Sequence, residues 1–167
     1  IVLGSSRSDG DTRKAVDLVV KQQPHKLVDL NDSSISYYDY EHANQNDDFI
    51  PLIKDMLNHQ KWVFATPVYW YTMSAIMKTF LDRITDLLTV EKELGRQLRG
   101  KEAYVISSDG GERTSAFEEI FQKTFKYLGM DYRGTLFYYS GDDQALSVQN
   151  QDKIISFSEL LYALKQR

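Results

Sequence analysis

Short apolar runs of β character alternate with longer stretches of helical periodicity along the whole chain, and this alternation constrains the fold more than any other feature. Ile1-Val2-Leu3 reads as a buried strand ended by Gly4. From Thr12 to about Gln22, Ala15, Val16, Val19 and Val20 mark one helical face, and Pro24 stops it. Lys26 to Leu30 reads as a second strand, and Phe49 to His59 as a helix carrying Ile50, Ile53, Met56 and Leu57. Trp62 to Ala65 is apolar throughout, as expected of a strand covered on both faces. Met73, Ile76, Met77, Phe80, Leu81, Ile84, Leu87 and Leu88 then recur every three or four positions, with Lys78, Asp82 and Asp86 on the other side. Ala103 to Ile106 reads as a fourth strand. Ser115 and Glu118 suit a capping box for a helix running to Leu128, with Gly129 as its stop. Leu136 to Tyr138 reads as a fifth strand. The spacing of Ile154, Phe157, Leu161 and Leu164 predicts a last helix beginning at Asn150.

Five strands alternating with five helices imply an α/β protein with a parallel sheet between two helical layers. Right-handed crossovers leave few topologies, of which the five-strand order 2-1-3-4-5 is the commonest. The length of 167 residues suits one domain, 1–167, without repeats or linkers. The chain opens on Ile1-Val2-Leu3, already strand-like, so a few residues are expected to precede it in the natural protein. A net charge of −4 is divided evenly, −2 before Ile84 and −2 after Arg83, which argues against nucleic-acid binding by phosphate neutralisation. The absence of cysteine removes disulfides, thiolate nucleophiles and iron–sulfur clusters. No apolar run approaches the roughly 20 residues of a membrane span, and no secretory signal is visible, so a soluble cytoplasmic protein is expected.

In an open α/β sheet, ligands bind beyond the carboxyl ends of the strands, beside the switch between strands one and three. Three segments lie there. Gly4 to Thr12 joins a strand to a helix N-terminus with small hydroxyl residues, glycines and Arg7, a composition that suits a phosphate. The same residues also suit an ordinary capped turn, with Asp11 or Thr12 as N-cap. Thr66 to Tyr71 places aromatic residues where a flat apolar ring would sit, although such residues can equally cover the core edge. Ser107 to Glu112 carries the paired glycines Gly110 and Gly111, which permit close backbone approach to a planar ligand or simply form a turn. A P-loop is excluded because no lysine follows the second glycine.

Taken together, Gly4-Ser5-Ser6-Arg7-Ser8-Asp9-Gly10-Asp11-Thr12 and the run from Pro67 through Lys78 to Asp82-Arg83 resemble the flavodoxin-like FMN reductase family of NAD(P)H-dependent flavoprotein oxidoreductases. The resemblance spans essentially the whole chain. It implies a flavodoxin-like three-layer sandwich that binds FMN and uses NAD(P)H as hydride donor. By position, Ser5, Ser6, Arg7, Asp11 and Thr12 would hold the phosphate. Pro67, Val68, Tyr69, Trp70 and Tyr71 would line the isoalloxazine, and Ser108, Asp109, Gly110 and Gly111 would close its other edge. Many relatives have Asn where Asp11 stands, and a carboxylate beside a phosphate is repulsive unless it points away or caps the helix. No catalytic side chain and no metal are implied. The acceptor would be a quinone, a nitro- or azo-aromatic, or a flavin, and relatives usually form homodimers or higher homo-oligomers whose partner subunit roofs the flavin. Two other readings stand beside this one: an electron carrier of the flavodoxin type, and a phosphate-ligand-binding protein without redox chemistry.

The remaining candidates point elsewhere. His25, His42 and His59 lack metal-ligand spacing. Asn31-Asp32-Ser33 matches a glycosylation sequon that is expected to be idle. Asp47-Asp48 and Asp142-Asp143 read as solvated loop charges or helix caps, and Arg96, Arg99 and Lys101 as a solvated face. The long stretch from Asn31 to Asp48 carries five acids, no Lys or Arg, and Tyr37, Tyr38 and Tyr40. A loop of that length is usually functional or mobile.

Overall fold

The computed structural model describes residues 1–111 and 115–163, so Glu112 and Leu164 lie outside the described residues. In chain order the elements are β1 (Val2–Leu3), α1 (Asp11–Val20), β2 (Val28–Asp29), a 3-10 turn (Leu30–Asp32), α2 (Phe49–Met56), β3 (Lys61–Tyr69), β4 (Thr72–Met73), α3 (Ala75–Arg83), α4 (Asp86–Thr89), α5 (Lys92–Arg96), β5 (Glu102–Asp109), α6 (Ser115–Leu128), β6 (Asp131–Tyr139) and α7 (Gln144–Tyr162). Five strands form a parallel sheet in the order β2-β1-β3-β5-β6, and β4 folds back antiparallel on the end of β3. With β4 set aside, this is the expected 2-1-3-4-5 order.

Strand periodicity divides the core into two layers. Trp62, Phe64 and Val105 point to one face, where α2, α3, α4 and α6 contribute Phe49, Ile53, Phe80, Leu87, Phe121 and Phe125. Val63, Ala65, Tyr104 and Ile106 point to the other, against Val16 and Val19 of α1 and Ile154 and Phe157 of α7. Both faces of β3 and β5 are covered, which is why their sequences read as continuous apolar runs rather than alternating ones.

The second strand is shorter than expected, Val28–Asp29 with Leu30 in the 3-10 turn, and three other elements differ more. The helical pattern from Met73 to Leu88 is not one helix. Leu87 N bonds Ile84 O at 3.0 Å and Leu88 N bonds Thr85 O at 2.9 Å, so the chain tightens to three-residue spacing between α3 and α4 while still burying Ile84 and Leu87. The last helix starts at Gln144 rather than Asn150. Asn150 has the composition of a cap, but its side chain bridges to β6, accepting from Tyr139 N at 2.9 Å and donating to Tyr139 O at 2.8 Å. The aromatic stretch after β3 contains a two-residue hairpin turn, Trp70-Tyr71, pairing Tyr69 with Thr72 and Val68 with Met73.

Candidate functional site

The carboxyl ends of β1, β3 and β5 meet through a chain of buried hydroxyls. Gly4 N donates to Ala65 O at 2.8 Å as the chain leaves β1. Ser74 caps α3, its Oγ accepting from Met77 N at 3.2 Å and donating to Gly4 O at 2.6 Å. Thr66 Oγ1 accepts from Ser74 N at 3.0 Å, and Ser107 Oγ donates to Thr66 O at 2.9 Å. Gly4 is required by close approach, because a Cβ there would lie 2.9 Å from the Met77 Cβ and 3.0 Å from its Cα. Ser74 falls inside the helical run read from Met73, so neither its cap nor its hold on Gly4 is read from the sequence.

The first expected segment forms the loop from β1 to α1. Gly10, not Asp11 or Thr12, is the N-cap of α1, and among the described residues no side chain caps it. The first amides of the helix are therefore free of a side-chain acceptor, which is what an anion site at a helix N-terminus needs. Thr12 points inward instead, with its Oγ1 2.7 Å from Ser108 Oγ in a fully buried contact. Asp11 turns to Lys14, with Nζ donating to Oδ1 at 2.9 Å, and this hydrogen bond raises the Lys14 pKa above its ordinary value. Ser5 is buried, while Ser6 and Arg7 are exposed.

The second and third segments face each other across a cleft of about 250 Å³ lined by Val68, Trp70, Tyr71, Asp109 and Gly110. Thr66, Pro67 and Val68 belong to β3 itself, and Ser107, Ser108 and Asp109 to β5, so both strands run further than their apolar cores suggest. Trp70 and Tyr71 adopt φ values of 49° and 65°. Consecutive left-handed residues without glycine cost on the order of 1–3 kcal/mol each, and such strain gathers at functional sites. The turn leaves Trp70 91% exposed. Opposite it, Asp109 Oδ1 accepts from Gly111 N at 2.8 Å, and Gly111 takes a φ of +105° that only glycine adopts without strain. A Cβ added at Gly110 would meet nothing within 4 Å, so the space above that turn is open to a planar group. Larger cavities, of about 290 and 500 Å³, lie at the amino ends of the strands and between β6 and α7, and neither touches these segments.

The stretch from Asn31 to Asp48 is held by a buried arginine. Arg83 is 0% exposed, donates from Nε to Asp86 Oδ2 at 2.8 Å and from Nη1 to Ser36 O at 3.2 Å, and pairs with Asp47. Its guanidinium lies 4.8 Å from the Phe49 ring centroid. His42 Nδ1 lies 3.1 Å from Asp86 Oδ1. Asp47 is thus an ion-pair partner rather than a solvated loop charge, whereas Asp48 accepts from Ser34 N at 2.7 Å. Burial by itself would push the Asp47 carboxyl up. The Arg83 hydrogen bond and the Ser36 and Phe49 amides outweigh that and hold it below the usual carboxylate range. Burial likewise disfavours the Arg83 cation, but Asp47 and Asp86 raise its pKa overall. Lys101 is also spoken for, donating to Leu57 O at 2.6 Å and His59 O at 2.9 Å. Asp143 caps the start of α7 by accepting from Leu146 N at 3.2 Å. Among the described residues no cluster of His, Asp or Glu could hold a metal.

The same fold recurs in known proteins. The sequence matches the profile of the family described as having a flavodoxin-like fold over residues 4–156. It is 28% identical over 145 residues to the Bacillus subtilis (strain 168) protein named "Putative NAD(P)H-dependent FMN-containing oxidoreductase YwqN", covering 80% of each chain. The structure superposes on the Trp repressor binding protein from Bacillus subtilis with a TM-score of 0.75, 23% identity, and coverage of 98% of this chain and 97% of that one. An FMN-dependent NADH-azoreductase from Bacillus anthracis, in complex with FMN, gives a TM-score of 0.70 at 12% identity, over 97% of this chain and 98% of the other. At these identities the two structural likenesses speak to the fold alone. The profile match takes in nearly the whole sheet and all three rim segments, and the chain belongs to the family with the flavodoxin-like fold.

Proposed function

We propose that this single domain is an NAD(P)H-dependent FMN oxidoreductase that reduces a small-molecule acceptor: a quinone, a nitro- or azo-aromatic, or a flavin. The observation that carries the proposal is the buried contact between Thr12 Oγ1 and Ser108 Oγ, which joins an uncapped helix N-terminus to the end of β5 beside the aromatic cleft. Phosphate-binding and ring-binding halves of one site then lie side by side. Among relatives, YwqN is named as an FMN-containing NAD(P)H-dependent oxidoreductase.

In this reading the amides of Ser5, Ser6 and Thr12, with the exposed Ser6 hydroxyl and the Arg7 guanidinium, hold the phosphate, while the Thr12 hydroxyl stays on Ser108. Asp11 stays beside it because Lys14 balances its charge. Pro67, Val68, Tyr69, Trp70 and Tyr71 border the ring on one side, and Ser108, Asp109, Gly110 and Gly111 on the other. Bound FMN would supply the redox chemistry, taking a hydride from NAD(P)H and passing it to the acceptor. The chain's own work is placement: the strained Trp70-Tyr71 turn carries the aromatic wall of the cleft, and the Gly110-Gly111 turn presents backbone to the ring edge. A homodimer or higher homo-oligomer fits the exposure of Trp70, and no described helix is long and apolar enough to cross a membrane. We place the protein in the cytoplasm.

The test is direct. Purified protein should bind FMN, identified by its absorbance spectrum and by chromatography of the released chromophore, and should oxidise NADH or NADPH with a quinone and no partner reductase. FMN binding without NAD(P)H oxidation would make it a carrier; no flavin binding would overturn the reading entirely.

Two further outcomes follow from the cleft. Trp62 is buried in the core, donating from its indole to Met56 O at 3.0 Å, whereas Trp70 lines the cleft. FMN should therefore quench tryptophan emission, and Trp70→Phe should abolish most of the quenching; retention of the full effect would remove Trp70 from the ring contact. A single cleft of this size also leaves no room for donor and acceptor together. Initial-rate plots at several quinone concentrations should give parallel lines, the ping-pong pattern, and intersecting lines would show that both substrates bind at once.

A further inference from the structure

We propose that Asn31 is a positioning residue for the cofactor phosphate, setting the Ser5–Ser6 peptide so that the Ser6 amide faces the anion. The inference rests on the FMN reading above. Asn31 begins no strand or long helix; it sits in the 3-10 turn after β2, the strand next to β1. Its Nδ2 donates to Ser5 O at 2.8 Å and to Asp29 Oδ1 at 3.0 Å, with Ser8 Oγ at 3.4 Å. Asp29 in turn accepts from the Asn31 backbone N–H at 2.9 Å, closing an Asx turn that fixes where the side-chain amide can reach.

The consequence comes from peptide geometry. In a planar trans peptide the C=O and the following N–H point in opposite directions. With the Ser5 carbonyl drawn toward Asn31, the Ser6 N–H is directed away from β2, as an amide that is to meet a ligand must be. A carbonyl rotated the other way would present a negative oxygen to the phosphate instead. The hydrogen bond therefore selects which end of one dipole the anion meets. Asn is suited to this because its amide donates to two acceptors from one short arm; Asp at this position would accept only, and would repel both Ser5 O and Asp29. The same contacts account for the sequon: the Nδ2 that a glycan would need is committed to the loop.

The experiment compares wild type, Asn31→Ala and Asn31→Ser by titrating FMN and riboflavin into apoprotein and following the Ser6 amide by NMR. Asn31→Ala should weaken FMN about tenfold, the size expected for leaving a buried acceptor unpaired. Riboflavin affinity should change less than about twofold, since riboflavin has no phosphate to meet Ser6. The Ser6 amide proton of the wild type should move downfield with FMN and not with riboflavin, and this shift should shrink in the variant. Asn31→Ser, which keeps a short donor, should fall between the two and serves if the alanine variant does not fold. Equal loss of FMN and riboflavin, or an undiminished Ser6 shift in a variant that has lost FMN affinity, would show a general structural role and overturn the proposal alone. Wild-type protein that binds neither flavin would overturn the cofactor reading, and this inference with it.

Discussion

Replacing Arg83 by methionine is expected to lower the free energy of unfolding by about 3–5 kcal/mol, the range for removing one partner from a buried charge cluster. Arg83 is wholly buried, and Asp47 and Asp86, with side chains 8% and 2% exposed, would be left without their cation. The Ser36 carbonyl would lose its donor as well. Against a typical total of about 5–15 kcal/mol, the loss should be plain in urea unfolding. A change below about 1 kcal/mol would mean that the carboxylates reach solvent once the arginine is gone. The pH dependence gives an independent check. The Asp47 pKa is lower in the folded chain than its ordinary 3.8. Its contribution is therefore fully present above that value and is lost as pH falls through the lower folded value. Wild-type stability should drop below about pH 4, and the difference between wild type and Arg83→Met should narrow over the same window. Because Arg83 and Asp47 tether the segment that starts at Asn31, the variant should also bind FMN less tightly.

This cluster also marks where the sequence stops being legible. The sheet order and both core layers follow from local patterns, because β3, β5, α1 and α6 each carry apolar residues at the period of their own element. Two rim segments, Gly4 to Thr12 and Ser107 to Gly111, are legible for a related reason: a stretch rich in Gly and Ser directly after an apolar strand has one place to go in this topology. What local pattern does not carry is pairing across long separations. Arg83 lies on the helical face that reads as core, so its charge looks like an exception until Asp47, 36 positions away, is brought to it. Asn31 and Asn150 are polar residues whose types suggest a sequon and a helix cap, yet each spends its amide on another element. The Trp70-Tyr71 turn escapes for the opposite reason. It has hairpin geometry without Asn or Gly, the residues that announce such turns, and the pairing of Val68 and Tyr69 with Met73 and Thr72 closes a conformation that its own residues disfavour.

Arg7→Ala is expected to weaken FMN binding by about 1.5–3 kcal/mol, roughly a 10- to 150-fold rise in Kd, as for losing a hydrogen bond to a charged group. Arg7 lies on the β1–α1 loop, and its Nε would be 3.5 Å from a Cβ built at Gly10, so the guanidinium folds back across the helix entrance. Among the described residues no carboxylate pairs with it, unlike the neighbouring Arg13 and Lys14, which bond to Asp17 and Asp11. An exposed arginine held over an uncapped helix N-terminus gains most from a dianion placed between the two. The free protein should be nearly indifferent to the change, since the side chain buries little and pairs with nothing described. Riboflavin should bind both proteins about equally, which separates a phosphate contact from damage to the ring site. Raising the salt concentration should weaken FMN binding to the wild type more than to the variant, because the lost contact is the most solvent-accessible charge pair in the proposed complex. A parallel loss of FMN and riboflavin affinity, or identical salt dependence in the two proteins, would place Arg7 outside the phosphate site.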